Sequence, residues 1–263
     1  MDIWHETFTL RFGAVDRSDQ LTLASTFDFF QEAAISHAES LGVGREAMAR
    51  TGQGWILSRI SVFLERRPRF GETITVRTWP RGWDRLLAIR DYDIRDASDT
   101  PIVRGRSSWI ILDIEKRRPL RPQAMMDTLP LNDGINALPG GGGGLETREN
   151  LVRVGERRAL YSDIDYNGHV NNTRYIQWIQ DITEPELLDK ARQIRFDINY
   201  LSEVKPGDMT ELLAAPLKLS IGGDGGDLGL DGDSAAGIAR AFEGRRQPEG
   251  KQAVFRAELR TGV

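Results

Sequence analysis

The stretch DIDYNGHVNNTRYIQWIQD, Asp163 to Asp181, has two halves with different physics. Its first ten residues, Asp163 to Asn172, carry carboxylates, carboxamides, a glycine and His169, and are too polar for a core. From Tyr175 the pattern changes. Tyr175, Trp178, Ile179 and Ile182 fall at i, i+3, i+4 and i+7, one apolar stripe of a helix. A polar turn hinged on Gly168 therefore feeds directly into a helix that buries one face. Side chains on such a turn are held by a rigid element and stay reachable.

Working outward, the same pattern occurs earlier in the chain. Thr7 to Val15 reads as a strand, followed by the polar turn Asp16-Arg17-Ser18-Asp19. A helix is predicted from about Thr22 to Leu41, with Phe27, Phe30, Ala34, Ala38 and Leu41 on one side and Gly42 ending it. Strands follow at Trp55 to Leu64, Thr73 to Trp79, Leu86 to Ile94 and Ile102 to Ile114, separated by the turns Arg66 to Gly71 and Asp96 to Asp99. One helix followed by a run of antiparallel strands argues for an α+β fold.

Sliding Asp16 onto Asp165, an offset of 149 positions, pairs Phe27 with Ile176, Phe29 with Trp178, Phe30 with Ile179, Gln31 with Gln180 and Glu32 with Asp181, without a gap. Further on, Arg192 to Val204 repeats the Trp55 strand, and Lys205 to Asp208 repeats the turn ending at Gly71. The chain thus reads as two copies of one helix-plus-sheet unit, placed at residues 1–122 and 147–263. Between them, 123–146 is a linker rich in proline and glycine, closing on five glycines from Gly140 to Gly144. Opposite Asp165, Asn167 and His169 the first copy carries Asp16, Ser18 and Gln20, so one site per chain is expected.

Composition limits the function classes. The 263 residues are 40% hydrophobic and 28% charged, ordinary for a folded soluble protein. A net charge of -4 gives no general reason to expect nucleic acid, and no run is long enough for a membrane helix. There is no cysteine, which excludes disulfides, thiolate metal sites and a cysteine nucleophile. Together these features favour a cytoplasmic protein. Two calcium-like patterns fail. DIDYNG has the spacing of an EF-hand loop, but the twelfth position is Arg174 where a bidentate glutamate is needed. In Gly222 to Asp233 the apolar slot of a glycine-aspartate repeat falls on Gly229 and no second copy stacks on it, so residues 221–234 read as a disordered acidic loop.

The chain resembles the acyl-acyl-carrier-protein thioesterases of bacteria and plant plastids. The resemblance rests on Asp165-x-Asn167-x-His169-Val170-Asn171-Asn172 followed by Tyr175, Ile176 and Trp178. Gln31-Glu32-Ala33, Arg66-x-Pro68, Thr78-Trp79, Ser108-Trp109 and Arg117-Arg118 extend it through the first unit. It implies two tandem hotdog domains, each an antiparallel sheet wrapped around a long helix. It also implies four catalytic residues, Asp165, Asn167, His169 and Glu203, with Glu203 on a strand after the motif. Plant members carry a cysteine directly after that glutamate; here Val204 stands there, so hydrolysis would proceed without a thiol nucleophile. No plastid transit peptide precedes the first unit, which fits a bacterial source. The implied substrate is a fatty acyl chain on the phosphopantetheine of acyl carrier protein, with no metal or bound cofactor. A homodimer is compatible with this reading, and neither nucleic acid nor membrane is expected as a partner.

Thioester hydrolysis needs an activated water and a donor for the developing oxyanion. His169 has the one side chain of the set that titrates near neutrality when unperturbed. Glu203 or Asp165 would orient it, or act directly as base if burial raises the carboxyl pKa. The preferred division has His169 and Glu203 share base duty while Asp165 and Asn167 orient the reactants. The first amides of the Tyr175 helix would add positive potential at the oxyanion. Asp163, Asn171 and Asn172 are expected to cap the helix instead. An acidic carrier calls for a basic patch, with Arg66, Arg67 and Arg69, Lys116 to Arg121, and Arg245-Arg246 as candidates. Two other readings stay open: an acyl-CoA thioesterase of the same fold, and a non-catalytic module that binds acyl chains or carrier protein. A hotdog dehydratase fits the motif less well.

Overall fold

In the computed structural model, residues 2–121, 125, 128–132, 134–138, 143–217, 237–248 and 252–262 are described. The expected acidic loop at 221–234 lies outside them. The first unit opens with β1 (Trp4–Thr9), then α1 (Leu23–Ser40) and the short α2 (Arg45–Arg50). Strands β2 (Gln53–Leu64), β3 (Thr73–Asp84), β4 (Leu87–Arg95), β5 (Pro101–Asp113) and the two-residue β6 (Arg118–Pro119) follow. The second unit holds β7 (Val152–Arg158), α3 (Asn172–Ile182), α4 (Pro185–Lys190), β8 (Gln193–Tyr200), β9 (Met209–Leu217), β10 (Ile238–Gln247) and β11 (Ala253–Gly262).

The helix signals act where expected. Thr22 caps α1 by accepting the Ser25 N–H at 2.9 Å, and Gly42 ends it in the left-handed region at φ 70. The expected first strand is shorter than its hydrophobic run. The chain leaves the sheet at Leu10, whose side chain is buried, and Phe12–Ala14 form a 3-10 turn.

All the strands join one antiparallel sheet in the order β1-β3-β4-β5-β2-β8-β11-β10-β9-β7, with β6 on β5. Each half of that order is the mirror of the other, and the centre is the β2–β8 pair running from Arg59 opposite Asn199 to Leu64 opposite Ile194. This is an α+β, tandem hotdog arrangement. α1 and α3 bury their apolar stripes in one core with Val62, Leu64, Ile94, Ile198 and Phe255. α1 also makes contacts across the units: Phe27 packs edge-on to Phe196 of β8 at 5.7 Å, and the Ala24 N–H donates to Gln180 Oε1 of α3 at 2.6 Å. Gly105 marks a close approach of helix and sheet, since a Cβ there would lie 2.4 Å from the Phe30 ring.

The outer sheet face carries ion pairs such as Arg106–Asp91 at 2.7 Å and Arg77–Asp93 at 2.6 Å. Part of the Pro/Gly-rich connection packs on it and is more than a spacer. Leu138 is fully buried, the Ala137 N–H donates to the Asp91 carboxylate at 3.0 Å, and Trp79 Nε1 donates to the Ile135 carbonyl at 3.2 Å. Buried Asp91 takes two bonds from Arg106 of the sheet, and the strap supplies a further donor from its backbone at Ala137. Among the described residues no helix is long and apolar enough to cross a membrane.

Candidate active site

The motif turn is closed by its own backbone. The Asp165 N–H donates to the His169 carbonyl at 2.9 Å, the Gly168 N–H donates to the Asp165 carbonyl at 3.0 Å, and Ile164 bridges Val170. Gly168 sits at φ 79, a conformation glycine adopts without cost. The Val170 N–H then donates to the Val204 carbonyl at 2.9 Å. That one bond ties the turn to the loop after β8 and places residue 203 beside residue 169.

His169 Nε2 lies 3.2 Å from Glu203 Oε2, both side chains about one-third exposed. Glu203 stands on the loop after β8 and not on a strand, because β8 leaves the sheet after Tyr200. Asp165 and Asn167 form a second pair on the turn: Asp165 Oδ1 accepts the Asn167 N–H at 2.8 Å, and Oδ2 accepts Asn167 Nδ2 at 3.3 Å. Thus the structure brings the four expected residues to one surface as two pairs. Among the described residues no side-chain hydrogen bond joins one pair to the other.

The capping expectations divide. Asn171 caps α3, accepting the Thr173 N–H at 2.9 Å. Asp163 instead accepts the Leu160 N–H at 2.8 Å and closes the preceding 3-10 turn. Asn172 is already helical, and its carbonyl accepts the Tyr200 hydroxyl at 3.1 Å. The expected use of the first helix amides at the oxyanion is narrowed. Thr173 N–H is taken by the Asn171 side chain, and Arg174 N–H by the Asn171 carbonyl at 2.9 Å.

Beneath the turn is an aromatic floor. Tyr175 packs against Trp178, Tyr200 and Phe255 with ring centroids 5.2 to 5.8 Å apart. Burial holds both tyrosine hydroxyls above their ordinary range, which keeps the floor neutral. The walls include groups that sequence periodicity does not assign to the site. Arg117, from the β5–β6 turn, reaches Glu203 Oε2 at 3.0 Å. Arg246 donates to the Glu203 carbonyl and, at 3.2 Å, to Ser202 Oγ. Arg45, at the start of α2, stacks its guanidinium 4.0 Å from the centre of the Tyr166 ring. In the sequence Arg246 stands out only within a basic run, and Arg117 within a basic run and the family resemblance, neither as a site residue.

Comparison with known proteins bears on the family and the fold. The family model described as the acyl-ACP thioesterase N-terminal domain matches residues 1–127, and that of the acyl-ACP thioesterase C-terminal domain matches residues 151–235. The chain is 24% identical over 230 residues to a chloroplastic acyl-[acyl-carrier-protein] hydrolase, FATB2, of Cuphea viscosissima, covering 81% of this chain and 55% of that protein. It is 25% identical over 248 residues to oleoyl-acyl carrier protein thioesterase 1 of Arabidopsis thaliana, covering 85% and 66%. The chain therefore spans little more than half the length of the first of these relatives. Its fold matches that of an acyl-ACP thioesterase from Bacteroides thetaiotaomicron, with a TM-score of 0.81, 24% identity, and coverage of 98% of this chain and 96% of the other. It also matches a 12:0-ACP thioesterase from Umbellularia californica, with a TM-score of 0.77, 19% identity, and coverage of 99% and 98%.

Proposed function

The chain belongs to the acyl-ACP thioesterase family, and on that premise we propose that it hydrolyses fatty acyl-acyl-carrier-protein to free fatty acid and carrier protein. The observation that carries this reading is the 3.2 Å contact between His169 Nε2 and Glu203, whose residues are far apart in sequence. With Nε2–H donated to the carboxylate, Nδ1 keeps its lone pair and takes the proton of the attacking water. The water oxygen bonds to the thioester carbon, the carbon–sulfur bond breaks, and the proton passes to the departing thiolate. Glu203 steadies the imidazolium that forms. Asn167 donates one amide hydrogen to Asp165 and has a second to offer the carbonyl oxygen. No thiol takes part.

The acyl tail needs an apolar channel. A narrow crevice, with about 20 Å³ open to water, runs between Phe27 and Phe30 of α1, Ile60, Tyr92 and Trp109 of the sheet, and Thr173 at the start of α3. All of its lining except Thr173 belongs to the first unit. We assign acyl binding to that unit (residues 1–122) and hydrolysis to the second (147–263), with 123–146 as the strap between them.

Of the candidate docking arginines, most are already engaged. Arg66 pairs with Glu72 at 2.9 Å, buried Arg67 with Asp16 at 2.7 Å, and Arg245 with Glu243 at 2.6 Å. In the Lys116 to Arg121 segment Lys116 pairs with Asp113 at 3.5 Å and Arg117 with Glu203 at 3.0 Å, so Arg118 and Arg121 are the cations there offered to an acidic carrier. A cytoplasmic location and a homodimer belong to the same proposal. The test is hydrolysis of matched acyl-carrier-protein and acyl-CoA panels by wild type and His169→Ala. Loss of turnover in a folded variant, with carrier-protein substrates preferred, is the expected result. No turnover by wild type would leave a binding module, an unchanged rate in His169→Ala would place hydrolysis elsewhere, and a preference for CoA would move the substrate to that carrier.

A further inference from the structure

The two partners of the Glu203 carboxylate come from different units. His169 Nε2 and Arg117 Nη2 both contact Oε2, at 3.2 and 3.0 Å. Arg117 is 86 residues away along the chain, on the turn between β5 and β6 of the first unit. It occupies the left-handed backbone region at φ 49, where residues other than glycine are strained. The Asp113 carboxylate holds this turn by accepting the Lys116 N–H at 2.9 Å.

Stability does not account for the contact. The Arg117 side chain is 69% exposed and that of Glu203 36%, and ion pairs so exposed contribute little to folding. The Glu203 main chain is fixed by other means: its carbonyl accepts from Arg246, and the next carbonyl, of Val204, accepts from Val170 at 2.9 Å. What these bonds leave free is the side chain, whose several rotors would otherwise scatter the carboxylate. A cationic donor anchored on another element, here one Nη2 on one carboxylate oxygen, selects one arrangement. We propose that Arg117 is a positioning residue that holds the Glu203 carboxylate where it meets His169, so that hydrolysis in the second unit depends on a side chain of the first. This rests on the thioesterase reading above.

The competing role for Arg117 is docking of the acidic carrier, and the substrate distinguishes the two. The probe is an acyl thioester of N-acetylcysteamine, which has neither phosphate nor protein, used with the intact chain. Arg117→Ala is expected to lower kcat about tenfold on this probe, with KM within about twofold. Arg117→Lys should recover most of the loss, because it returns the charge without the fork. In a Glu203→Gln background Arg117→Ala should cost less than about twofold more, since its target is gone. Full turnover of the small probe by Arg117→Ala, with KM raised only for the carrier-protein substrate, would overturn the proposal in favour of docking. A further tenfold loss in the Glu203→Gln background would overturn it too. If Glu203→Gln alone is inert, the ratio of kcat between Arg117→Lys and Arg117→Ala decides, with a ratio near one against. Undiminished hydrolysis by His169→Ala would instead remove the site reading itself, whatever Arg117 does.

Discussion

In the first unit the Asp16 N–H meets the Gln20 carbonyl at 2.8 Å; in the second the Asp165 N–H meets the His169 carbonyl at 2.9 Å. Val15 bridges Leu21 as Ile164 bridges Val170, and Asp19 and Gly168 both have positive φ. Leu21 N–H donates to Pro68 as Val170 N–H donates to Val204, so Arg67 occupies the place of Glu203. On one backbone frame the side chains differ. In the first turn Asp16 accepts from the Ser18 and Gln20 amides at 2.8 and 3.1 Å and pairs with buried Arg67. α4 of the other unit then closes it, with Arg17 and Ser18 on Asp189 at 2.5 and 2.9 Å, and Arg67 on the Leu188 carbonyl at 2.5 Å. In the second turn a histidine and a glutamate face each other, about one-third exposed. The difference shows how a duplicated turn is either locked for stability or left reachable for chemistry, according to the charge placed at one loop position.

The sharpest way to break this comparison is to truncate the equivalent residues. His169→Ala should lower hydrolysis about a thousandfold, some 4 kcal/mol in the barrier, with little change in Tm. Gln20→Ala should leave both almost unchanged. A large rate loss from Gln20→Ala would mean that the first turn is also a working site.

Arg67→Ala is the converse. It leaves Asp16 without its partner beside α4 and should cost about 3 kcal/mol of stability, read by urea unfolding, with turnover per folded molecule retained.

A pH effect follows from the extra length of α1. That helix runs 18 residues against 11 in α3, and its last turns carry fully buried His37. Burial, reinforced by Arg90 at 3.1 Å and only partly offset by Asp2 at 3.5 Å, lowers its pKa to about 4. Between that value and the unfolded value of about 6.5 the unfolded chain binds more protons, so this stability is present above pH ~6.5 and lost toward pH ~4. The loss is on the order of 3 kcal/mol, and His37→Gln should flatten the Tm profile over that window.

The smallest effect expected is that of Asp189→Asn. Its bonds to Arg17, then Ser18, hold this carboxylate below its usual range. Its contribution is therefore present above its unfolded pKa and fades as pH falls below it. The variant should lower Tm slightly at neutral pH and not at all in acid. An equal drop at both would show that the charge is not what closes the first turn.

Much of this was legible because it is local. Apolar spacing, Thr22 and Gly42 delimit α1, and Gly168 and the Asx-type bonds of Asp165 build the turn within a few residues. The Val204 in place of a cysteine was equally plain. The contacts of the linker 123–146 are not legible in its sequence, because they depend on Asp91, which lies on another element. The strand assigned to Glu203 was too long because β8 leaves the sheet where Leu201 and Ser202 both turn their N–H groups to the Val254 carbonyl.

Amino-acid order alone determined that there are two like units, that one of them carries the aspartate, asparagine and histidine, and that no thiol is available. Only the tertiary structure decided that Arg67 and Glu203 occupy equivalent places, that His169 meets its carboxylate, and that Arg117 reaches across to hold it. Helix periods and turns are written in neighbouring residues, whereas a contact between distant segments exists only after the sheet has closed and set their register.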